Sequence, residues 1–144
     1  MNLLQIAHVP PLTVAPSDMV QRAIDLTVPK KVGAVAVVDG DTLVGVFTAR
    51  DLIHKVVHPG LSPATTRIAD VMTSPAITVP ADTPCRDVLR IMLDKHIRHV
   101  PISEDGRTVA GILSLRNALQ HMVEDLQEDL QSMAAFLNTD GIGG

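Results

Sequence analysis

Thr48 and Asp51 stand three positions apart, and so do Ser114 and Asn117; each pair follows a Gly-x-x stretch that reads as the end of a strand entering a helix. A hydroxyl at a helix start with a polar side chain three residues on suits two tasks. It can cap the helix, the hydroxyl accepting a backbone N–H while the second side chain reaches back to the cap. It can also hold a ligand: the unpaired N–H groups and positive potential of a helix N-terminus suit a phosphate, the hydroxyl adds a donor, and a carboxylate one turn along accepts from a ribose diol. One copy would carry little weight, but two copies on the same scaffold favour the ligand reading. The copies differ, because Asn117 is uncharged where Asp51 carries a carboxylate. A charge-assisted hydrogen bond is roughly twice as strong as a neutral one, so the second site is expected to be weaker or altered in preference.

Other reactive chemistry is sparse. An enzyme needs a nucleophile with its base, paired carboxylates in a cleft, or an open metal site. The chain has no Gly-x-Gly-x-x-Gly, Walker-type or Gly-x-Ser-x-Gly sequence, and a non-enzymatic protein is expected. His54 and His58 are four apart, but Pro59 ends the helix there; His96 and His99 flank a helix-to-strand junction. Ordinary surface or packing roles are favoured over metal binding for both pairs. The lone Cys85 excludes an internal disulfide and a cysteine-based zinc site, and fits a reducing cytosol.

The elements that position these residues occur twice. Leu12-Thr13-Val14-Ala15-Pro16-Ser17-Asp18 returns as Ile77-Thr78-Val79-Pro80-Ala81-Asp82-Thr83, 65 positions on. Gly45-Val46-Phe47-Thr48-Ala49-Arg50-Asp51-Leu52 returns as Gly111-Ile112-Leu113-Ser114-Leu115-Arg116-Asn117-Ala118, 66 positions on, which places one insertion near Glu104. Each copy reads as strand, helix, two strands, helix. In the first, a strand over 12–14 leads to a helix opened by Ser17-Asp18 and stopped near Pro29; strands over 32–38 and 43–47 and a helix over 50–57 follow. In the second, Asp82-Thr83-Pro84 opens a helix, followed by strands over 100–102 and 108–113. A linker over 58–63 and a short helix over 66–72 join them. The expected divisions are repeat one (1–60), repeat two (61–123) and an extension (124–144). In the extension, Leu119, Val123, Leu126, Leu130, Met133 and Leu137 alternate steps of four and three, a heptad seam with Glu124, Asp125, Glu128 and Asp129 off it. That helix either folds back or pairs with another subunit or a client protein, the second being favoured; 138–144 is expected to be a frayed tail.

Composition bounds the partners. With 46% hydrophobic and 19% charged residues the chain describes an ordinary globular core. A net charge of -4 without any basic run argues against nucleic acid, and two phenylalanines with no Trp or Tyr leave no base-stacking platform. No apolar run approaches the roughly 20 residues that span a bilayer, and the first ten residues lack the features of a signal peptide, so a cytoplasmic location without membrane attachment is expected.

The β-α-β-β-α order, the Thr of each first strand, the Gly-x-x-Thr/Ser-x-x-Asp closing pattern and the Val71-Met72-Thr73 lead-in resemble cystathionine-β-synthase (CBS) domains, a tandem pair of which is a Bateman module. The resemblance covers nearly all of residues 1–123. It implies an α/β (α+β) fold of two pseudo-symmetric repeats packed sheet to sheet, with the C-terminal helix added. It further implies clefts that take adenosine-containing ligands (AMP, ADP, ATP or S-adenosylmethionine) and a disc-like homodimer. Carried over by position, Thr48 and Asp51 serve one cleft and Ser114 the other, with Thr13 and Thr78 helping to hold the nucleoside. Adenine would lie against Val35 and Val37, or against Val100 and Ile102. Arg98-His99, standing where repeat one has Gly33-Ala34, match a place where basic residues of the γ subunit of AMP-activated protein kinase meet phosphate. The function implied is a sensor that signals by changing shape or assembly; the alternatives are a structural dimerisation module with degenerate sites, or a metal or redox sensor using His and Cys85.

Overall fold

A computed structural model of the chain describes residues 2–139. In repeat one, β1 (Thr13–Val14) runs parallel to β2 (Ala34–Asp39), which pairs antiparallel with β3 (Thr42–Thr48). Between β1 and β2 lies α1 (Val20–Lys30). The expected stop at Pro29 falls one residue short: Pro29 sits inside the last turn, and the helix ends on Lys31, whose left-handed backbone (φ 56°) returns its N–H to Thr27 and Val28. After β3 come α2 (Ala49–Asp51) and a wider π stretch, Leu52–Val57. The linker carries α3 (Ile68–Val71). Repeat two follows with α4 (Cys85–Lys95), β4 (His99–Ile102), β5 (Gly111–Ser114) and α5 (Leu115–Thr139).

Repeat two departs from repeat one in two strands, each for a local reason. Its first strand shrinks to a single parallel bridge, Val79 to Ile102. In repeat one the Ala36 N–H donates to the Leu12 carbonyl; the equivalent residue in β4 is Pro101, which has no N–H to give. The strand expected from Thr108 starts only at Gly111, because Asp105 Oδ1 accepts the N–H groups of Arg107 and Thr108 at 2.8 Å each and holds that segment in a turn. Those two backbone donors, Thr108 first, hold the Asp105 carboxyl down at about 2.

The repeats exchange their lead-in segments. Leu3 and Ile68 occupy equivalent positions, yet Leu3 is buried in the core of repeat two and Ile68 in that of repeat one. His8 pairs with Ile112 and Thr73 with Val46, so each lead-in adds an edge to the other repeat's sheet. Gly45 and Gly111 make room for this: a Cβ on Gly45 would stand 2.7 Å from the Thr73 carbonyl oxygen, and one on Gly111 3.0 Å from that of His8. The glycine of each motif thus serves a close backbone approach. Ala36, Leu43 and Ile112 form a small third core where the two halves meet.

The terminal helix begins four residues before Leu119 and includes Asn138 and Thr139, expected in the tail; 140–144 lie outside the described residues. Its first turns pack on repeat two through Leu115, Ala118 and Met122. Every residue from Val123 to Asn138 is exposed, so the fold-back arrangement does not occur. No described helix is long and apolar enough to cross a membrane.

Candidate functional site

The capping geometry is realised in full at the first pair. Thr48 Oγ1 accepts the Asp51 N–H at 3.2 Å, and Asp51 Oδ2 accepts the Thr48 N–H at 3.0 Å and its hydroxyl at 3.2 Å. The other carboxylate oxygen accepts the Thr73 hydroxyl at 3.0 Å and faces the Lys55 ammonium at 3.1 Å. Asp51 is 7% exposed. Both its oxygens are therefore engaged, and this one carboxylate ties α2, the π stretch and the exchanged linker together.

The second pair shows why an amide stands at 117. Ser114 Oγ accepts the Asn117 N–H at 3.1 Å, and Asn117 Nδ2 donates to the Ile6 carbonyl at 2.8 Å. Ile6 belongs to the exchanged N-terminal lead-in, so the same position performs the same tie, with a donor where repeat one uses an acceptor. Asn117→Asp should lower the unfolding free energy by about 2 kcal/mol, since it removes the donor and turns a carboxylate towards a carbonyl. Urea denaturation reads this, and an unchanged midpoint would show that the tie carries no weight.

Three cavities lie near the sequence-predicted residues. The first, about 290 Å³, opens between the repeats and is lined by His8, Leu12, Lys30, Ala34, His99 and Ile112, among others. The second, about 430 Å³, brings Arg98, His99 and Ser114 together with Leu115, Arg116 and Leu119. The third, about 150 Å³, is its counterpart in repeat one, with Gly33, Thr48 and Ala49 in the equivalent places. No acidic side chain lines any of the three, and among the described residues Arg98 makes no ion pair. His99 is common to the first two cavities; burial, with His8 and Arg98 nearby, pushes its pKa down to about 4, so the imidazole is neutral at pH 7.

Four expected wall residues lie elsewhere. Val35, Val37, Val100 and Ile102 are 0% exposed and face the helices of their own repeats. Strand alternation turns their neighbours Ala34 and His99 towards the inter-repeat cavity instead. Thr13 is exposed on β1 and Thr78 half-buried, and neither borders these cavities; Asn117 borders a separate one of about 210 Å³ beside Ile6 and His121. His8, Lys30 and Lys55 are not among the residues the sequence points to as site residues, and Thr73 enters there only as part of the lead-in motif. The 65-residue offset, carried back from Thr13 to Leu3, makes His8 and Thr73 equivalent positions, each bridging to the other repeat's sheet. Among the described residues no three His, Cys, Asp or Glu gather as metal ligands.

Comparison with known proteins decides the family. The CBS domain model matches residues 5–58 and again 68–124. The chain belongs to the CBS domain family. Its pair of CBS repeats is 34% identical over 104 residues to the uncharacterised protein MK0525 of Methanopyrus kandleri, covering 69% of this chain and 53% of that one, so the chain spans about half the length of this curated relative. A protein with CBS domains from Burkholderia ambifaria superposes with a TM-score of 0.80 at 30% identity, over 87% of this chain and 96% of that one. The CBS domain pair of protein MJ0100, solved in complex with 5′-methylthioadenosine and S-adenosyl-L-methionine, shares the fold at a TM-score of 0.77 and 23% identity, over 87% and 98%. The tandem-CBS organisation and the mixed α/β fold are thus shown by sequence family and structure together.

Proposed function

We propose that this chain is a regulatory module without a catalytic step of its own, which binds an adenosine-containing ligand where its two CBS repeats meet and passes occupancy on as a change in shape or assembly. The observation that carries the reading is the pair of adjoining cavities sharing His99: an apolar-walled one between the repeats, and one edged by Arg98, Arg116 and the Ser114 hydroxyl. An aliphatic wall suits a nucleoside, and unpaired cations without any acid suit its phosphate or carboxylate tail. The adenosyl ligands of MJ0100 support the same class here. AMP, ADP, ATP and S-adenosylmethionine are the candidates.

Asp51 enters this reading at one remove. Its carboxylate lines none of the three cavities and is held by Thr48, Thr73 and Lys55, so it serves a ribose diol only when those contacts open, whereas among the described residues Arg98 of the second copy makes no ion pair. The test is calorimetric titration of ligand-stripped protein with the four candidates. At least one should bind saturably, and Arg98→Ala should weaken it by at least about tenfold, as loss of one charge-assisted bond does. No binding of any candidate at millimolar concentration would overturn the reading in favour of a structural module, which the full internal engagement of Asp51 would then explain.

The repeat symmetry also supports a homodimer. Val28, Ile53 and Val57 of repeat one and their equivalents Leu93, Leu119 and Val123 of repeat two are all exposed apolar residues. Two matched patches on one body are what a symmetric pair of modules needs.

A further inference from the structure

We infer that α5 is the seam of this homodimer, joining two copies as a parallel coiled coil that brings repeat two of one chain against repeat two of the other. The inference deepens the homodimer reading and stands apart from the ligand. Leu126, Leu130 and Met133 are 58%, 64% and 60% exposed on a helix that leaves the body at Val123. Helices in proteins draw most of their stability from packing an apolar face, and from Val123 to Asn138 every residue of this one is exposed. The apolar residues from Leu119 to Leu137, about 27 Å of helix at 1.5 Å per residue, repeat in the alternating steps of a two-stranded coil, with Met122, Ala134 and Phe136 at its flanks.

The occupant and its direction follow from charge and continuity. With Val123, Leu130 and Leu137 at the a positions and Leu119, Leu126 and Met133 at d, the flanking positions hold Gln120, Met122, Gln127, Asp129, Ala134 and Phe136. Glu124, Asp125 and Glu128 fall on the outer face, so a second acidic copy meets no repulsion from them. Asp129 decides the direction. In a parallel pair it faces Ala134 of the other copy, whereas in the centred antiparallel pair it faces its own copy, a like-charge clash. Parallel pairing also lays Leu119 of one copy against Leu119 of the other where α5 leaves repeat two. Between Asn117 and Thr139 there is no Lys or Arg, which argues against an anionic lipid surface as the occupant.

The test uses the full chain. Sedimentation should find a dimer, and Leu130→Glu should weaken it by about 100-fold or more, since each copy then buries a carboxylate in one layer. Leu126→Cys should oxidise to a disulfide-linked dimer, Leu126 meeting its own copy in a parallel coil; the native Cys85 is buried and gives no background. A dimer indifferent to Leu130→Glu would overturn the coil while leaving the body patches as the interface. A wild-type monomer would overturn both. Cross-linking only between Leu126→Cys and Leu130→Cys chains would mean antiparallel pairing, and would overturn the proposal as well.

Discussion

Lowering the pH from 6.5 to 4 should cost the fold about 3 kcal/mol through one side chain, His99, at about 1.4 kcal/mol per unit of pKa shift. The unfolded chain carries this imidazole at its ordinary value of 6.5, and the folded chain holds it at about 4. Between those values the unfolded state binds a proton that the folded state refuses, so stability falls as pH falls and the loss is complete below the folded value. The cause is location. His99 begins β4 at the meeting of the repeats, where its ring lies against Gly33, and burial is the largest influence on it, with the electrostatic influence of His8 and Arg98 adding to the effect. Between pH 6.5 and 5, above the range where most carboxylates titrate, His99→Gln should flatten the dependence of unfolding free energy on pH. An identical slope in the variant would mean that His99 is not the group responsible.

Gly45→Ala should lower stability by about 3 kcal/mol, or roughly 10 °C in melting temperature for a chain of this size, and Gly111→Ala by less. The added methyl at 45 meets the Thr73 carbonyl oxygen at 2.7 Å and the Met72 sulfur at 3.0 Å. That carbonyl accepts the Val46 N–H at 3.0 Å, and the Thr73 N–H donates to Val46 at 2.8 Å, so the linker cannot retreat without breaking both bonds. Behind it, Ile68 and Val71 would be drawn out of the repeat-one core. At Gly111 the closest atoms are 3.0 Å away, and two of the three belong to the side-chain ends of Val9 and Leu4, which can shift. Thermal unfolding of the two variants orders them. Equal stability of Gly45→Ala and the parent chain would refute the exchanged-lead-in account.

Much of this architecture was legible because the chain repeats itself. The paired offsets located the β-α-β-β-α units and the Thr48–Asp51 box, which depend on local spacing. What stayed hidden depended on partners distant in sequence. Nothing near Leu3 says that it packs on repeat two, and the loss of a first-strand ladder in repeat two follows from Pro101 having no N–H for a strand some twenty positions earlier. The misplaced cavity walls have a related origin. In β2, Ala34, Val35, Ala36 and Val37 are all buried, so composition does not reveal which face meets the helices and which meets the other repeat. Bulk suggested the valines, whereas the alanines and His99 face the junction, because space is left where side chains are small. Asn117 read as a weakened ligand acceptor until the Ile6 carbonyl came into view as its partner.

The central claim is that an adenosyl ligand sits at the junction of the two CBS repeats, and amide chemical-shift mapping of the full chain tests it most directly. On titration with the candidate that binds in calorimetry, the largest shifts should fall on Ala34, His99, Ile112 and Ser114, the backbone around the adjoining cavities. Saturating shifts confined to another surface, or no shifts with any of the four candidates, would contradict the account.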